Sequence, residues 1–404
     1  MSKQVVIVGA GHASGQVVAT LKQKQYDGRI VLVGEEAYLP YQRPPLSKKF
    51  LAGMLAAERL YVKPESFYDS PDIEVRLSTH VDSIDRASKT VVTDQRDVIP
   101  YDSLILAIGA RARKLPVEGS MLAGIYYLRS IDDVNGIRDE LDKAKSLVIV
   151  GGGYIGLEVA AVTRQLGLDV TVIEMTDRVM SRVVSEDVSA FFQREHFAHG
   201  VKLMLSTGLC RFRGDDRVTA VETDDGQRIP ADFVVVGVGI TPNVELAEAA
   251  GLNVDDGIVV DEHCLTSGAD IYAIGDCTSH PNNIYGRRMR LESVHNALEQ
   301  AKTAAANVCG EKQKYAQVPW FWSDQYDLKL QIAGVSQGYD DIVIRGDVDS
   351  RSFSCLYLKE GTLIAVDAIN APHDFVQSKL LIANAAAPDR TQLANTDVML
   401  KDLA

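Results

Sequence analysis

Val5-Val6-Ile7-Val8 runs straight into Gly9-Ala10-Gly11-His12-Ala13-Ser14, and Leu147-Val148-Ile149-Val150 runs straight into Gly151-Gly152-Gly153-Tyr154-Ile155-Gly156. In both places a short apolar run gives way to a glycine-rich turn that opens a helical stretch. Runs this short, stopped by glycine, fit strands of a parallel sheet covered on both faces. A backbone bare of side chains lets a pyrophosphate approach, and the N–H groups at a helix start point at its charge. One such turn is a weak signal. Two in one chain predict two dinucleotides held by one protein, which is what hydride transfer from a nicotinamide to a flavin requires.

Each turn sits in a βαβ unit. The first continues through a helix over Gln16–Lys24 to a strand Ile30–Val33 that ends at Glu35; the second continues through Leu157–Leu166 to Val170–Ile173 and Glu174. In each, an acid falls about twenty residues past the turn, where it accepts hydrogen bonds from a ribose 2′-hydroxyl. Glu36 adjoins Glu35, so either of the two faces the first ribose. Glu174 would repel a 2′-phosphate and so favours NADH over NADPH. Arg178 and Arg182 lie downstream, and Arg178 reads as a surface charge. The runs Ser103–Ala107, Phe233–Val238 and Ile271–Ile274 stop at or next to glycine and read as further parallel strands. After Pro319 the texture changes. Leu330–Gly334, Asp341–Arg345 and Ser354–Leu358 predict an antiparallel sheet, and the stretch from Asp374 to Ala387 predicts a helix, together a small third domain.

The chain has 404 residues, enough for two or three domains with real cores. Its 46% apolar and 24% charged content is that of an ordinary soluble globular protein. A formal net charge of -13 counts against broad nucleic-acid binding and leaves room for a local basic patch. No stretch is long and apolar enough to span a bilayer, and Met1-Ser2-Lys3 leads directly into the first strand, so the expected location is cytoplasmic. The cysteines, Cys210, Cys264, Cys277, Cys309 and Cys355, form no Cys-x-x-Cys pair and no metal-ligand spacing. They read as small buried residues in a reducing compartment.

Other residues carry two readings each. Pro40-Tyr41-Gln42-Arg43-Pro44-Pro45-Leu46-Ser47-Lys48 is a proline-stiffened stretch that presents Arg43 and Lys48 either to a ligand or to solvent. Asp276, at a strand end, either accepts from a polyol or caps the next helix. His295 reads as structural. Trp320 and Trp322 form either a wall beside a flavin or part of the third domain's core.

Taken in order, the first turn, the RPPLSK stretch, Ala107-Ile108-Gly109, the second turn with Leu157-Glu158, Gly239-Ile240-Thr241-Pro242-Asn243 and Tyr272-Ala273-Ile274-Gly275-Asp276 resemble the FAD-dependent NADH:ferredoxin reductases of bacterial oxygenase systems. The resemblance covers essentially the whole chain. It implies an α/β fold with two Rossmann-like, glutathione-reductase-like dinucleotide-binding domains and a small α+β C-terminal domain. FAD would bind to residues 1–110 and 240–318, NADH to 111–239, and residues 319–404 would lie over the flavin. Carried over residue by residue, Gly9, Gly11, His12, Ala13 and Ser14 would cradle the FAD pyrophosphate, with Glu35 on the ribose. Arg43, Lys48, Val81, Ala107, Gly109, Arg129, Asp276, Val294 and Trp322 would also meet FAD. Gly151, Gly153, Tyr154, Ile155, Gly156, Glu174, Arg182 and Gly239 would meet NADH, and Glu158 would approach Lys48 in the nicotinamide pocket. Ile108 departs from the family's Ala-Thr-Gly and loses a hydroxyl, for which local repacking is expected.

The resemblance implies electron passage from NADH through FAD to a [2Fe–2S] ferredoxin serving an oxygenase. Related disulfide reductases need one or two cysteines beside the flavin, early in the chain. None precedes Cys210 here, so electrons must leave to an external acceptor. A rubredoxin is the nearer alternative acceptor. A partner-binding flavoprotein like apoptosis-inducing factor is the alternative of a different class, disfavoured by the acidic balance. Such ferredoxins are usually acidic, and Arg287, Arg288 and Arg290 are the expected docking patch.

Overall fold

The computed structural model describes residues 3–403; Met1, Ser2 and Ala404, which the expected domain bounds include, lie outside the described residues. The chain folds as two units. One gathers the chain up to Arg43, Glu58–Arg111 and Thr241–Pro319; the other gathers Pro44–Ala57, Ala112–Ile240 and the chain from Trp320 onward.

In the first unit β1 (Lys3–Val8), β2 (Gly28–Val33), β3 (Ile73–Arg76) and β4 (Ser103–Leu106) join the strand Ile271–Ala273 in a parallel sheet of order Ile271–Ala273, β4, β1, β2, β3. Alternation along β1 sends Val5 and Ile7 to one face and Val6 and Val8 to the other. Val5 and Ile7 share a core with Val17, Val18 and Leu21 of α1 (His12–Gln23) and with Ala301, Ala304 and Ala305 of the helix Val294–Val308. Alanines at this spacing let the two helices pack closely. Val6 and Val8 share a second core with Ile84, Val91 and Ile99 of an antiparallel sheet formed by Val81–Asp85, Thr90–Thr93 and Val98–Pro100. Both faces are covered, and this is why the strand reads as an unbroken apolar run.

The second unit repeats the scheme. β5 (Ile125–Tyr127), β6 (Ser146–Val150), β7 (Asp169–Ile173), β8 (Lys202–Met204) and β9 (Phe233–Val236) form a parallel sheet of order β8, β7, β6, β9, β5. Its helices include α2 (Ile131–Leu141), α3 (Tyr154–Gln165) and α4 (Glu186–Ala198). An antiparallel sheet follows, with β10 (Trp320–Gln325), β11 (Leu328–Gly334), β12 (Asp341–Asp347), β13 (Ser352–Lys359) and β14 (Thr362–Ile369) in the order β10, β11, β14, β13, β12. Leu157 of α3 and Phe191 and Phe192 of α4 share one core with Leu328, Leu330, Phe353 and Ile369 of this sheet. Residues 112–239 and 320–403 therefore pack within a single unit. The expected helix from Asp374 begins two residues earlier, with Pro372 in its first turn, and ends at Ala383; Ala385, at φ 48°, has already turned left-handed.

Candidate functional site

The two glycine turns are built alike. Gly9 and Gly151 adopt φ of +102° and +105°, and a Cβ would lie 2.3 Å from the Ala107 carbonyl oxygen and 2.5 Å from that of Gly237, respectively. Only glycine permits this approach of the turn to the neighbouring strand end. Gly11 and Gly153 are the N-caps of α1 and α3, and neither helix start receives a side-chain cap. Elsewhere α2, α4 and the helix Val294–Val308 are capped by Ser130, Ser185 and Ser293. A Cβ built on Gly11 or Gly153 meets no protein atom within 4 Å. Uncapped N–H groups facing open space at a helix N-terminus are what a pyrophosphate requires, and the residues fit two dinucleotides.

The two turns differ at their last position. A Cβ on Gly156 would lie 2.1 Å from the Gly151 oxygen. Ser14 stands in the matching place of the first turn, and its hydroxyl donates to the Gly9 carbonyl. The serine thus replaces close packing with a hydrogen bond. Gly15 takes over the close approach, since a Cβ there would lie 3.0 Å from Pro40 Cβ.

Around the first turn, His12 opens α1 with its Nδ1 buried and without a partner among the described residues. Burial, then the charge of Arg43, lowers its pKa to about 4, with Asp276 opposing. His12, Arg43 and Asp276 are therefore electrostatic neighbours at one end of the first sheet, although far apart in sequence. Of the two adjacent acids, Glu36 is the engaged one: it takes Arg43 Nη2 at 2.6 Å and the Tyr41 hydroxyl at 2.6 Å. Glu35 is 80% exposed, 3.7 Å from His80 Nδ1. Ala13 is buried, and Ala107 donates its N–H to the Val8 oxygen at 2.8 Å. Gly109 holds φ +59°, Val81 opens a strand, and Val294 starts its helix behind Ser293. Ile108, where the resemblance leads to a threonine, packs against the second core of this unit, and its carbonyl accepts from Asn243 Nδ2 at 2.8 Å.

In the second unit, Glu174 does more than await a ribose. Its Oε2 accepts the Gly152 N–H at 2.7 Å, and its Oε1 accepts from the N–H and hydroxyl of Thr176 at 2.9 and 2.8 Å. The acid at the end of β7 thereby holds the turn after β6. Arg178 is tied to the carbonyls of Val184 and Ser181, both at 2.9 Å. Arg182 is exposed, and its Nη2 would lie 3.8 Å from a Cβ on Gly239, itself at φ +100°. Ile155 is 40% exposed. The Tyr154 ring lies 4.9 Å from that of Phe321, and the Trp320 and Trp322 rings lie 5.5 Å apart. Arg129 donates its backbone N–H to Asp133 Oδ2 at 3.0 Å.

The segment Pro44–Ala57 packs with this unit and brings Lys48 to Glu158. Lys48 Nζ lies 2.8 Å from Glu158 Oε2, with the side chains 16% and 4% exposed. The Ser47 hydroxyl donates to Oε2, and Ser323 Oγ donates to Oε1 at 2.6 Å. Burying such a pair costs several kcal/mol per ion unless further hydrogen bonds satisfy the charges. Here two serines do so for the carboxylate.

A family model of pyridine nucleotide-disulphide oxidoreductases matches residues 3–301, and one for the reductase C-terminal region matches 320–404. The chain belongs to this oxidoreductase family. A ferredoxin reductase subunit of a 5,5'-dehydrodivanillate O-demethylase from Sphingobium sp. is 43% identical over 98% of this chain and 97% of its own. The ferredoxin reductase of the CYP199A2 system from Rhodopseudomonas palustris superposes with a TM-score of 0.96 at 42% identity, covering both chains completely. The putidaredoxin reductase of a covalent complex with putidaredoxin matches with a TM-score of 0.96 at 41% identity, over 99% of this chain and 98% of that one. The reductase is an FAD- and NADH-dependent oxidoreductase.

The expected docking arginines of the reductase are not equivalent. Arg290, 15% exposed, is paired with Asp256 at 3.1 Å and Glu292 at 2.5 Å, so its charge is neutralised locally rather than offered to a partner. Arg288 spends Nη2 on the carbonyls of Val260 and Ser279, both at 2.5 Å. Arg287 is exposed beside it. All cysteines of the reductase are free thiols. Cys264, Cys277 and Cys355 are buried, and burial pushes the thiols of Cys277 and Cys355 up to about 12 and that of Cys264 higher still, so all three stay protonated. Among the described residues no group of His, Cys, Asp and Glu could hold a metal, and no helix is long and apolar enough to cross a membrane.

Sequence reasoning missed Ser47 and Ser323 as partners of Glu158, and it named Glu36 beside Glu35 without its tie to Arg43. Ser47 and Glu36 adjoin residues that were singled out. Ser323, buried between Trp322 and Asp324, gives no signal before the strand is placed.

Acid should destabilise the reductase well above the carboxylate range. Burial holds His12, His196 and His280 each at about 4. The unfolded chain protonates them near 6.5, so between these values it carries up to three more protons than the folded state on their account. Asp367 opposes this: burial raises it to about 7, so the folded state keeps a proton there that the unfolded chain releases near 3.8. A net difference of two protons makes stability fall by about 2.7 kcal/mol per pH unit at its steepest as pH drops from 6.5 toward 4. Melting temperatures at pH 7.0 and 5.0 check this; an equal or higher value at pH 5.0 refutes it.

Proposed function

We propose that the reductase passes electrons from NADH through FAD to a [2Fe–2S] ferredoxin that supplies an oxygenase, a cytochrome P450. One observation carries the reading: two dinucleotide turns stand in a chain with no thiol before Cys210, so what the flavin receives goes to an external acceptor. FAD, when bound, accepts a hydride and releases its electrons one at a time. In balance, one NADH and two oxidised ferredoxins give NAD⁺, one proton and two reduced ferredoxins.

The chain's part is alignment and charge. The first turn, with His12, Ala13, Ser14 and Arg43, takes the FAD pyrophosphate, and Asp276 the ribitol. Val81, Ala107, Gly109, Arg129, Val294 and Trp322 line the cofactor. The second turn and Gly239 take NADH, and the Glu174 carboxylate disfavours a 2′-phosphate. Lys48 would supply positive charge beside the bound flavin, and Glu158 holds Lys48 in place. The FAD-binding part comprises 1–110 and 240–318, the NADH-binding part 111–239, and the C-terminal part 319–404. A cytoplasmic location is supported by the unpaired cysteines; cell fractionation tests it.

Purified protein mixed anaerobically with NADH should lose its flavin absorbance within milliseconds and then reduce a [2Fe–2S] ferredoxin from the same cell. A colourless protein that takes up no FAD would overturn the proposal, and transfer to a rubredoxin alone would change the acceptor.

Arg287 and Arg288, both exposed on one strand, are the candidates for ferredoxin docking. Arg287→Glu should raise the KM for ferredoxin several-fold at low salt, with NADH-driven ferricyanide reduction as the control. An unchanged KM removes this arginine from the docking surface.

A further inference from the structure

We infer that Ser323, Gln325 and His196 are positioning residues for Glu158, forming a one-way chain of hydrogen bonds, begun at Tyr326, that keeps the carboxylate turned toward Lys48. The inference rests on the reading of Lys48 and Glu158 given above and adds residues that reach Lys48 only through Glu158.

The chain is buried, with His196 0%, Ser323 1% and Gln325 1% exposed beside Glu158 at 3%. Tyr326 Oη lies 3.0 Å from His196 Nδ1, and His196 Nε2 lies 2.8 Å from Gln325 Oε1. Gln325 Nε2 lies 3.2 Å from Ser323 Oγ, which lies 2.6 Å from Glu158 Oε1. One proton decides the direction of every link. Serine has a single hydroxyl proton and a carboxylate only accepts, so Ser323 donates to Glu158. The Ser323 oxygen must then accept from the Gln325 amide. That fixes Gln325 with Nε2 toward Ser323 and Oε1 toward the imidazole. Oε1 only accepts, so His196 carries its proton on Nε2, and the bare Nδ1 accepts from Tyr326. A flipped Gln325 or the other tautomer would set like groups against each other in a buried site. Burial lowers His196 to about 4, which agrees with one bare ring nitrogen.

The chain joins three elements. Ser323 and Gln325 alternate on one face of β10, His196 comes from α4 and Glu158 from α3. At its outer end the Tyr326 ring is stacked on His199, with centroids 3.7 Å apart. Dipoles in series polarise one another, and all of these end on one carboxylate oxygen. Oε1 is held by Ser323, which leaves Oε2 to Ser47 and Lys48. The buried histidine therefore acts on Lys48 through Glu158.

The test compares holoenzymes of Glu158→Gln, Ser323→Ala, Ser323→Thr, Gln325→Met and the double variant Glu158→Gln/Ser323→Ala, by anaerobic stopped-flow reduction of bound FAD with NADH. Nitrogen-15 NMR of histidine-labelled protein reads the tautomers. Ser323→Ala and Gln325→Met should each slow reduction about tenfold at saturating NADH, with the apparent Kd for NADH changed less than twofold. Ser323→Thr should recover most of the rate, and Ser323→Ala should cost less than twofold more once Glu158 is glutamine. The imidazole signal lost in His196→Gln should be that of an Nε2–H tautomer. The relay is overturned by wild-type rates in Ser323→Ala and Gln325→Met alongside a slow Glu158→Gln, by additive losses in the double variant, or by an Nδ1–H tautomer; these leave the Lys48–Glu158 reading intact. A wild-type rate in Glu158→Gln overturns that reading, and the relay falls with it.

Discussion

Lys48→Met slows the anaerobic reduction of bound FAD by NADH about a hundredfold and lowers the melting temperature by several degrees. Both effects have one source. Lys48 Nζ lies 2.8 Å from a Glu158 carboxylate whose side chain is 4% exposed. Methionine keeps the length of the side chain and removes the charge, which leaves a buried carboxylate with only the Ser47 and Ser323 hydroxyls as donors. Breaking a buried pair from one side typically costs about 3–5 kcal/mol. The rate falls because a preorganised charge aimed at developing negative charge is worth about 10²–10³ in rate. Stopped-flow absorbance and thermal melting measure the two effects separately. A Lys48→Met protein that reduces FAD at the wild-type rate would show the pair to be structural only, whatever its melting temperature.

Gly11→Ala and Gly153→Ala separate the two cofactors. Each glycine has ordinary backbone angles, φ -93° and -80°, so alanine is not strained. Each added Cβ meets no protein atom within 4 Å, so the fold should lose only about 1 kcal/mol at an N-cap. The methyl group instead occupies space on the pyrophosphate side of the helix start. Gly11→Ala should yield a folded protein that is largely colourless, its FAD affinity down at least a hundredfold. Gly153→Ala should stay yellow and raise the KM for NADH at least tenfold. Gly9→Ala is the contrasting case: its Cβ would lie 2.3 Å from the Ala107 oxygen at φ +102°, so folding itself should suffer. FAD content after gel filtration, KM for NADH and circular dichroism read the three outcomes. Full FAD occupancy in Gly11→Ala would place the pyrophosphate elsewhere.

The parallel sheets were legible because their signal is local. A run such as Val5-Val6-Ile7-Val8 states that both faces of a strand are covered, and the glycine after it states that the backbone turns where no side chain fits. The acid twenty residues on was legible too, since a βαβ unit has a nearly fixed length. The long helix Val294–Val308 was not read as a helix. Its packing face is largely alanine, which contributes little contrast to an apolar pattern. The pairing of Glu36 with Arg43 also went unread, because adjacent carboxylates are indistinguishable until the loop's direction is known. Arg290 looked like an available cation because Asp256, one of its two partners, lies 34 residues away.

By itself the sequence determined two dinucleotide turns, their order and the lack of an early thiol. Each depends on residues close together in the chain or on composition alone. Only the tertiary structure decided which groups besides Lys48 stand around Glu158. Ser47 comes from the segment Pro44–Ala57, Ser323 and Gln325 from β10 and His196 from α4, and no spacing announces a meeting that depends on how these pack with α3. A buried charge is set by its neighbours in space, and those neighbours exist only once the chain is folded.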